Sequence, residues 1–409
     1  MTQLETTLTS ADPARPRRYR VALDGRRLVR TAWSGGRRPR ETVTDLAGSD
    51  HEAEAAFAAA RDRKMREGFC RVGDAANPGR GDTVLEMLAP NRCPADAFDL
   101  APDGRTLVLG TMLDQAYGAE IHLVDVATGH RRLVHAEPAA GQQTFVHAVR
   151  FDADGRRIVY ALNGETRLLD PDTGATRLLA SYRQYEDAAF NPFRARPTWD
   201  AARTRLLVFD AGERVRILDR DGAAVFETAR RPPFDCWAGG LSRSGRLLAL
   251  CHARGSRYQP EDPETVEVDV WDVDTGTLRH RIPMGRRPAR VGFDPSETLL
   301  VCNPDHAEGP CAFALESGAL TWWFPDEIRT DRWAVCYDWE YSPDGRMLAV
   351  GRRGRAEVVD AATRERLPAF LPNDRAAGGT GRTSRVRFSD DGALLATGGD
   401  SGRLLVRAA

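Results

Sequence analysis

One pattern of apolar and polar positions returns seven times along the chain. Each copy has an apolar residue, a polar turn related to Ser/Asp-Pro-Asp-Gly-Arg, and a second apolar residue seven positions after the first. The first apolar residues are Leu100, Phe151, Trp199, Leu241, Phe293, Tyr341 and Phe388. The turns follow one another at intervals of 42 to 52 residues. This spacing predicts short strands joined by tight turns in a regular array.

The turn position that favours glycine holds a different residue in two copies. It is Arg203 in the third copy and Glu297 in the fifth. Glycine is preferred there because such a turn needs a positive φ, which is sterically unfavourable for residues with a Cβ. These two turns therefore lack a residue suited to that conformation.

A second turn, related to Asp-x-x-Thr-Gly, follows most copies of the first, as in 125–129 and 272–276. Each repeat thus reads as four strands, with turns after the first and third. No amphipathic helix of about 10–15 residues lies between the strands, which argues against alternating β-α units. Four-stranded units that repeat every ~40–50 residues are typical of the blades of a β-propeller.

These repeats resemble WD repeats over residues 83–409. The resemblance implies a mainly β protein with a seven-bladed β-propeller. The last repeat has three strands before Ala409. We therefore expect residues 83–90 to pair as its fourth, outer strand, which would close the ring and remove a free sheet edge.

Residues 18–72 do not follow the repeat. The segment 19–33 alternates around Asp24-Gly25, which predicts a β-hairpin, and we expect a third strand over about 41–46. Ser49 and Glu52 have the spacing of a capping box at a helix start. The pattern predicts a small α+β domain.

The segments on either side of this domain have no apolar pattern that we interpret as structure. We expect residues 1–17 to be a disordered basic tail. Residues 73–82 are rich in Gly, Asp and Pro and are predicted to be a linker between the domain and the propeller.

The whole 18–72 segment resembles the WGR domain. Ala53, Lys64, Gly68 and Phe69 match the A…K…G-[YF] ending of that family, and Trp33-Ser34-Gly35 stands where W-G-R is expected. Domains of this family contact nucleic acid and neighbouring domains. The resemblance implies similar contacts for this WGR-like domain.

The formal net charge of −1 conceals an uneven distribution. The chain has 58 Lys+Arg and 59 Asp+Glu, but residues 1–80 carry +5 and the remainder −6. Clustered arginines can neutralise phosphate groups, and the alternative is a solvated surface in an arginine-rich chain. The candidate polyanion-binding residues are Arg15, Arg17, Arg18, Arg26, Arg27, Arg30, Arg37, Arg38, Arg40 and Lys64.

The long loops of the predicted propeller fall on the rim opposite the tight turns. They are rich in Trp, Tyr, Phe and Arg, the residue types that dominate interface energies. The alternative for any single aromatic residue is packing between blades. The candidate protein-binding face consists of Tyr117, Tyr182, Tyr185, Phe193, Arg194, Phe234, Trp237, Arg257, Tyr258, Arg332 and Trp333.

Signatures of catalysis and metal binding are weak. The chain has no P-loop, no G-x-S-x-G elbow and no G-x-G-x-x-G after a strand, so we expect no cofactor. The Cys/His cluster comprises Cys251, His252, Cys302, His306 and Cys311. Zinc sites normally have closer paired spacing, so buried thiols are the preferred interpretation.

These features favour a non-catalytic, cytoplasmic and monomeric adaptor with no membrane contact. Its propeller would bind a protein partner through the long-loop face, and its basic N-terminal domain would dock on nucleic acid or on another domain. One alternative is a nucleic-acid-binding regulator that acts through the WGR-like domain. The other is a propeller hydrolase or lactonase with a metal in the channel.

Overall fold

The structure is a computed structural model of the whole chain. It describes residues 3–12, 14, 16–35, 37–73, 78–90, 93–112, 118–138, 146–162, 164–181, 196–210, 214–229, 231, 235–253, 266–284, 287–304, 309–323, 336, 338–352, 355–370 and 383–409.

The first part of the chain forms four strands, a helix and a fifth strand. These are β1 (Gln3–Ser10), β2 (Arg17–Asp24), β3 (Arg27–Ser34), β4 (Arg40–Asp45), α1 (Asp50–Arg66) and β5 (Phe69–Val72). The predicted hairpin is confirmed as β2 and β3, and the third strand as β4. The capping box is also confirmed, since the backbone N–H of Glu52 donates to Ser49 Oγ and that of Ser49 donates to Glu52 Oε2.

The helix covers one face of these strands. Its buried side chains Ala53, Phe57 and Met65 pack in one apolar cluster with Val21 of β2 and Leu8 of β1. The apolar stripe of the helix therefore supplies the core of this part of the molecule.

The prediction of a disordered tail over residues 1–17 is wrong. Strand β1 pairs antiparallel with β2 and with β5. Its alternate residues Leu4, Thr6 and Leu8 lie on the side of the core, where Leu8 is fully buried. The strand was missed because two of its inward positions, Thr6 and Ser10, are polar and give a weak apolar alternation.

The remainder of the chain is almost entirely β structure. The strands of the first blades are β6 (Thr83–Leu88), β7 (Ala97–Leu100), β8 (Thr106–Met112), β9 (Ala119–Asp125), β10 (Arg131–Glu137), β11 (Val146–Phe151), β12 (Ile158–Leu162), β13 (Glu165–Leu169), β14 (Thr176–Ser181), β15 (Thr198–Trp199), β16 (Leu206–Asp210), β17 (Arg214–Leu218) and β18 (Ala224–Ala229). The later strands are β19 (Asp235–Leu241), β20 (Leu247–Ala253), β21 (Val266–Asp272), β22 (Thr277–Pro283), β23 (Pro288–Phe293), β24 (Leu299–Pro304), β25 (Cys311–Ala314), β26 (Leu320–Trp323), β27 (Asp338–Tyr341), β28 (Met347–Arg352), β29 (Arg355–Asp360), β30 (Thr383–Phe388), β31 (Leu394–Gly399) and β32 (Arg403–Ala408).

Six blades stand as separate antiparallel sheets. We number them blade 1 (β7–β10), blade 2 (β11–β14), blade 3 (β15–β18), blade 4 (β19–β22), blade 5 (β23–β26) and blade 6 (β27–β29). A short 3-10 helix, Pro368–Phe370, follows the third strand of blade 6. In each blade the first strand is innermost.

The prediction of seven separate blades is wrong, because the last repeat does not form a sheet of its own. Its strands belong to a nine-stranded sheet with the order β30-β31-β32-β6-β5-β1-β2-β3-β4. We call β30, β31, β32 and β6 the closing sheet. Strand β6 pairs antiparallel with β32 on one side and with β5 on the other. The N-terminal strands therefore continue the closing sheet.

The expectation of a separate N-terminal domain on a linker must be corrected accordingly. Val72 pairs with Leu85, and the N–H of Gly73 donates to the carbonyl of Val84. The described part of 73–82 connects β5 to β6, and Gly81 N–H also donates to the carbonyl of Ala408. This pairing between distant segments could not be read from local composition.

The closing sheet lies between blade 6 and blade 1. Its inner strand β30 packs against β27 and β7. An apolar cluster that includes Leu85, Leu100 and Leu404 joins it to blade 1. These contacts complete the ring around a central channel.

The two rims of the ring differ in their connections. On one, the turn rim, the first and second strands and the third and fourth strands are joined by tight turns such as 101–105 and 273–276. On the other, the loop rim, connections include 182–197, 254–265 and 324–337. No helix within the described residues is long and apolar enough to cross a membrane.

Candidate functional site: the central channel

The channel wall is built from alternate residues of the inner strands, because successive side chains of a strand point to opposite sides. The residue before the first apolar position of each repeat forms an upper row, next to the turn rim. The upper row is Asp99, Arg150, Thr198, Gly240, Gly292, Glu340 and Arg387. The residue two positions earlier forms a lower row, which is Ala97, Ala148, Arg196, Ala238, Arg290, Asp338 and Arg385.

Asp338 is the centre of an arginine cluster on one side of the channel. It is fully buried, and its carboxylate accepts hydrogen bonds from Arg290 and from Arg387 Nη1, the latter at 3.1 Å. Arg385 Nη1 lies 3.7 Å from Asp338 Oδ2. Burial opposes ionisation of Asp338, but these arginines hold its pKa well below the ordinary value. The carboxylate is therefore ionised and fixes three guanidinium groups.

Asp338 also links neighbouring inner strands. Its Oδ2 accepts a hydrogen bond from the backbone N–H of Val386 at 3.2 Å, in the closing sheet. Asp99 of blade 1 repeats this contact with the N–H of Phe151 in blade 2, at 3.0 Å. Arg150 Nη1 lies 3.3 Å from the other oxygen of Asp99. The two carboxylates thus tie blade 6, the closing sheet, blade 1 and blade 2 together.

Arg203 crosses the channel at the turn rim. Its Nη1 donates to Asp99 Oδ2 and to the carbonyl of Phe151, both at 2.9 Å. Its Nη2 donates to Asp390 Oδ1 at 2.8 Å and to the carbonyl of Leu100 at 3.1 Å. A turn of blade 3 is therefore bound to blades 1 and 2 and to the closing sheet.

Arg203 and Glu297 adopt the conformation that their turns require in spite of their side chains. Their φ angles are 54° and 57°. Glu297 accepts hydrogen bonds from the backbone N–H of Ser244 at 2.5 Å and from its hydroxyl at 2.8 Å, in the preceding blade. Arg364 has a φ of 63°, and its guanidinium lies 4.6 Å from the ring centre of Trp322 in the preceding blade. All three residues contact another part of the ring, which offsets a backbone cost of about 1–2 kcal/mol each.

The opposite side of the channel has small side chains. Blade 4 contributes Ala238 and Gly240, and blade 5 contributes Gly292. A Cβ on Gly240 would lie 2.2 Å from the carbonyl oxygen of Val291, so glycine is needed there for the close approach of blades 4 and 5. The space above these residues is a consequence of that approach.

A cavity of about 270 Å³ occupies the channel, and residues of all six blades and of the closing sheet line it. It reaches the turn rim, where it is lined by Ala201, Arg243, Pro295 and Pro343. The charged residues that line it are Asp96, Arg150, Arg196, Arg243, Arg290, Asp294, Glu340, Arg385, Arg387 and Asp390. Of the six arginines, Arg150 pairs with Asp99, and Arg290, Arg385 and Arg387 pair with Asp338.

The arginines of the wall crowd one another. Burial lowers the pKa of Arg150 to about 9, and the neighbouring charge of Arg387 adds to this shift. Burial lowers the pKa of Arg196 to about 10. Burial also raises the pKa of the carboxyl of Asp96 above its ordinary value. Burial therefore disfavours the charged forms of both the arginines and Asp96 in this wall.

The predicted protein-binding face lies outside the described residues. This applies to Tyr117, Tyr182, Tyr185, Phe193, Arg194, Phe234, Arg257, Tyr258, Arg332 and Trp333. Trp237 has a described backbone in β19, but its side chain is outside the description. The face remains a prediction.

The predicted polyanion-binding residues remain a prediction. Arg15 lies outside the described residues, and most of the others are exposed on β2, β3 and β4 or their connections. Lys64 packs against two aromatic rings. Its Nζ lies 5.0 Å from the ring centre of Tyr19 and 5.8 Å from that of Phe69. Arg17 stacks on Phe69 at 5.2 Å. These two cations hold α1 and β5 against β2 through cation–π contacts.

The cysteines of the candidate metal cluster are buried. Burial raises the pKa of Cys311 to about 12 and the pKa of Cys302 well above its ordinary value. Thiolates, the form that binds a metal, are therefore disfavoured. His306 lies outside the described residues, and His252 Nε2 lies 3.4 Å from Asp269. Within the described part of the chain, no group of three or more His, Cys, Asp or Glu is arranged to hold a metal ion.

The charged residues of the channel were not predicted from the sequence, although their positions in the repeat could have identified them. In the repeat frame, the upper and lower rows occupy fixed positions before each tight turn. Charged residues stand at eight of these fourteen inner-strand positions, where a strand buried on both sides would favour apolar residues. Aligning the repeats and comparing these two columns would have found them.

Comparison with known proteins defines the class of fold. No family model matches the chain, and no curated protein matches it. Among solved structures 1253 chains match, which shows a widespread fold. One is a chain in the crystal structure of the mitotic checkpoint complex, with a TM-score of 0.57 and 14% identity over 83% of this chain and 95% of that one. The protein is therefore a WD40-like β-propeller with few helices.

Proposed function

We propose that the protein is a non-catalytic adaptor whose propeller binds a protein partner through the loop rim. The observation that supports this most is the difference between the rims. The turn rim has short connections fixed by backbone hydrogen bonds, as in 101–104 and 342–345, whereas the long connections 182–197, 254–265 and 324–337 begin and end on the loop rim. Loops on a rigid scaffold are the usual location of binding surfaces.

The similar solved chain also supports a protein-binding role. It is part of a protein complex, the mitotic checkpoint complex. The sequence of the long connections adds Trp, Tyr and Arg residues, such as Trp237, Trp333 and Arg332, which are frequent in interface hot spots. Within this proposal the closing sheet takes the place of a seventh blade, and the protein acts as a cytoplasmic monomer.

The test is affinity capture with the full chain as bait. The double variant Trp237→Ala/Trp333→Ala alters the loop rim, and Leu133→Ala, an exposed apolar residue on the outer strand of blade 1, is the matched control. We expect partners that the wild type and Leu133→Ala retain and that the double variant loses. Equal recovery of the same partners by all three proteins would rule out the loop rim.

The N-terminal strands support a second activity, contact with nucleic acid through a WGR-like unit. The supporting observation is exposure of arginines on β3, β4 and the turns beside them, including Arg27, Arg38 and Arg40. Strand β4 is the last strand of the nine-stranded sheet, so these residues lie away from the propeller.

Charge variants test this activity better than a deletion, because removal of 1–72 would uncover β6. The triple variant Arg27→Gln/Arg38→Gln/Arg40→Gln should weaken binding to duplex DNA or RNA and reduce its salt dependence by about three released ions. Binding of wild type that is absent, or that does not respond to salt, would reject nucleic-acid contact.

A further inference from the structure

We propose that the edge of β4 binds an extended segment of a partner protein with the pattern basic-x-aliphatic-x-basic. Strand β4 (Arg40–Asp45) is the last strand of the nine-stranded sheet and pairs with β3. The bound segment would become a tenth strand. This site is separate from the loop rim, and it uses the backbone and two acids of β4 instead of the arginines considered for nucleic acid.

The first argument is that β4 lacks the irregularity of the outer strands of blades 1–5. Each of those five strands contains a β-bulge where it pairs with the third strand of its blade. Bulges in edge strands interrupt the row of free backbone groups and so hinder pairing with another chain. The pairing of β4 with β3 is regular over six residues, and β4 contains neither proline nor glycine. Its edge therefore remains suitable for another strand.

The second argument is the direction of the backbone groups of β4. The N–H of Leu46, just after the strand, donates to the carbonyl of Arg26 at 2.9 Å. Residues with this orientation alternate along an antiparallel strand, so every second residue before Leu46 also bonds to β3. Glu41, Val43 and Asp45 therefore direct their N–H and C=O groups to the open edge, where an added strand would bind them.

The third argument is the pattern of side chains on the same three residues. They share one face of the sheet, because alternate residues of a strand point to the same side. Glu41 and Asp45 are exposed, and Val43 between them is 39% exposed. An acid-aliphatic-acid row is complementary to a basic-aliphatic-basic row on the neighbouring strand. The charges of this edge therefore favour a cationic partner.

Arginines on this face do not form ion pairs with the two acids in the described part of the chain. Arg20 lies two strands from Glu41 and binds Glu5 instead, at 2.6 Å. Arg27 lies opposite Asp45 on β3. It is on the inner side of β4, whereas an added strand would approach Asp45 from the open side.

The same acids argue against a second copy of this chain as the added strand. When β4 pairs antiparallel with itself over its whole length, the pairing is centred on Val43. Glu41 of one copy then lies directly opposite Asp45 of the other. Like charges in this position are destabilising, so the edge disfavours self-association and selects a partner of opposite charge.

The experiment is titration of the full chain into the fluorescein-labelled peptide Thr-Arg-Thr-Ile-Thr-Arg-Thr, measured by fluorescence anisotropy. One control peptide has glutamate in place of both arginines, and the other is methylated on the backbone nitrogen of isoleucine, which removes an N–H that would pair with β4. We expect saturable binding of the first peptide. Each control peptide should bind about tenfold more weakly or less, because hydrogen bonds and charge pairs contribute roughly this factor.

Two variants and one control define the edge. Val43→Pro removes an outward N–H, and proline is tolerated where the N–H of an edge strand faces solvent. Glu41→Gln/Asp45→Asn removes both acids. Each should weaken binding of the basic peptide about tenfold. Asp24→Asn removes an exposed acid of the same face in β2, two strands from the edge, and it should bind within twofold of the wild type.

Urea unfolding shows whether each variant is folded, and Glu41→Gln/Asp45→Asn keeps the test valid if Val43→Pro is not. Three results would overturn the proposal. They are no saturable binding of the basic peptide by the wild type, equal binding of the methylated peptide, and equal weakening by Asp24→Asn.

Discussion

Two parts of the ring differ in how neighbouring inner strands are held together. At blade 6, the closing sheet and blade 1, arginines surround Asp338, and Arg203 binds Asp99. Between blades 4 and 5, the wall has Ala238, Gly240 and Gly292, and the backbones approach each other closely. The first arrangement joins segments that are distant in sequence through ion pairs, and the second joins consecutive blades through close packing.

The position of the ion pairs around Asp338 and Asp99 in the ring is informative. It coincides with the junction of blade 6, the closing sheet and blade 1, where the end of the repeat array meets its beginning. A propeller has no covalent link that closes its ring, so contacts at this junction must hold it. The junction has an apolar cluster and the ion pairs of the channel, whereas blades 4 and 5 are consecutive in the chain.

The largest effect is expected for Asp338→Asn. The substitution keeps the shape of the side chain but leaves Arg290, Arg385 and Arg387 without their buried counter-charge. Loss of one partner from a buried ionic cluster costs about 3–5 kcal/mol of unfolding free energy. Urea unfolding followed by tryptophan fluorescence measures it.

Glu340→Gln is the control for that measurement. Glu340 is partly exposed and binds Arg387 alone among the described side chains, so its loss should cost about 1 kcal/mol or less. Equal effects of the two substitutions would show that Asp338 has no special role in closing the ring.

Arg203→Gly tests the cross-channel contact. Glycine relieves about 1 kcal/mol of backbone strain at a φ of 54°, but the substitution removes hydrogen bonds to Asp99 and Asp390. Bonds to charged groups contribute about 1.5–3 kcal/mol each when buried, so we expect a net loss of about 2 kcal/mol in urea unfolding. A gain in stability would mean that strain, and not the contact, dominates at this turn.

The pH dependence of stability tests His147, in the inner strand β11 of blade 2. Burial lowers the pKa of His147 to about 3, and Arg196 adds to the shift. Between pH 6.5 and 3 the unfolded chain binds a proton that the folded chain does not, so stability falls as the pH falls. For one histidine the loss between pH 7 and pH 5 is about 2 kcal/mol.

In His147→Gln this acid-induced loss should be smaller by that amount, as measured by urea unfolding at both pH values. His51→Gln, at the exposed start of α1, is the control and should follow the wild type. If the pH dependence of stability were unchanged in His147→Gln, a group other than His147 would cause the loss of stability at acid pH.

The smallest effect is expected for Glu297→Gly. This substitution also relieves a positive φ, and the hydrogen bonds that it removes, to Ser244, are exposed. The free energy gained by relief of the backbone and the free energy lost with the hydrogen bonds should cancel to within about 1 kcal/mol. If Glu297→Gly lost as much unfolding free energy as Arg203→Gly, the contacts of Arg203 across the channel would contribute no more than an ordinary contact between blades.

Local patterns in the sequence predicted local structure well. The tight turns, the hairpin of β2 and β3 and the capping box depend on residues close in the chain, whose conformational preferences are strong. Strand β1 was missed because Thr6 and Ser10 are inward but polar. The pairing of β5 with β6 was missed because it depends on where the whole ring closes.

The same reason explains why the channel could not be predicted. The repeat frame shows that Asp338 and Arg387 point inward, but it does not show that they meet. That contact requires blade 6 and the closing sheet to be neighbours, which follows from the nine-stranded sheet. The cavity likewise depends on the close approach of Gly240 to Val291.

The most direct test of the claim that Asp338 closes the ring is a double-mutant cycle of Asp338→Asn and Arg387→Gln, measured by urea unfolding. The two side chains are in contact, so the account predicts that the loss of unfolding free energy in the double variant differs from the sum of the two single losses by about 0.5–3 kcal/mol. Losses that add would contradict a direct contribution of this contact to the closure of the ring.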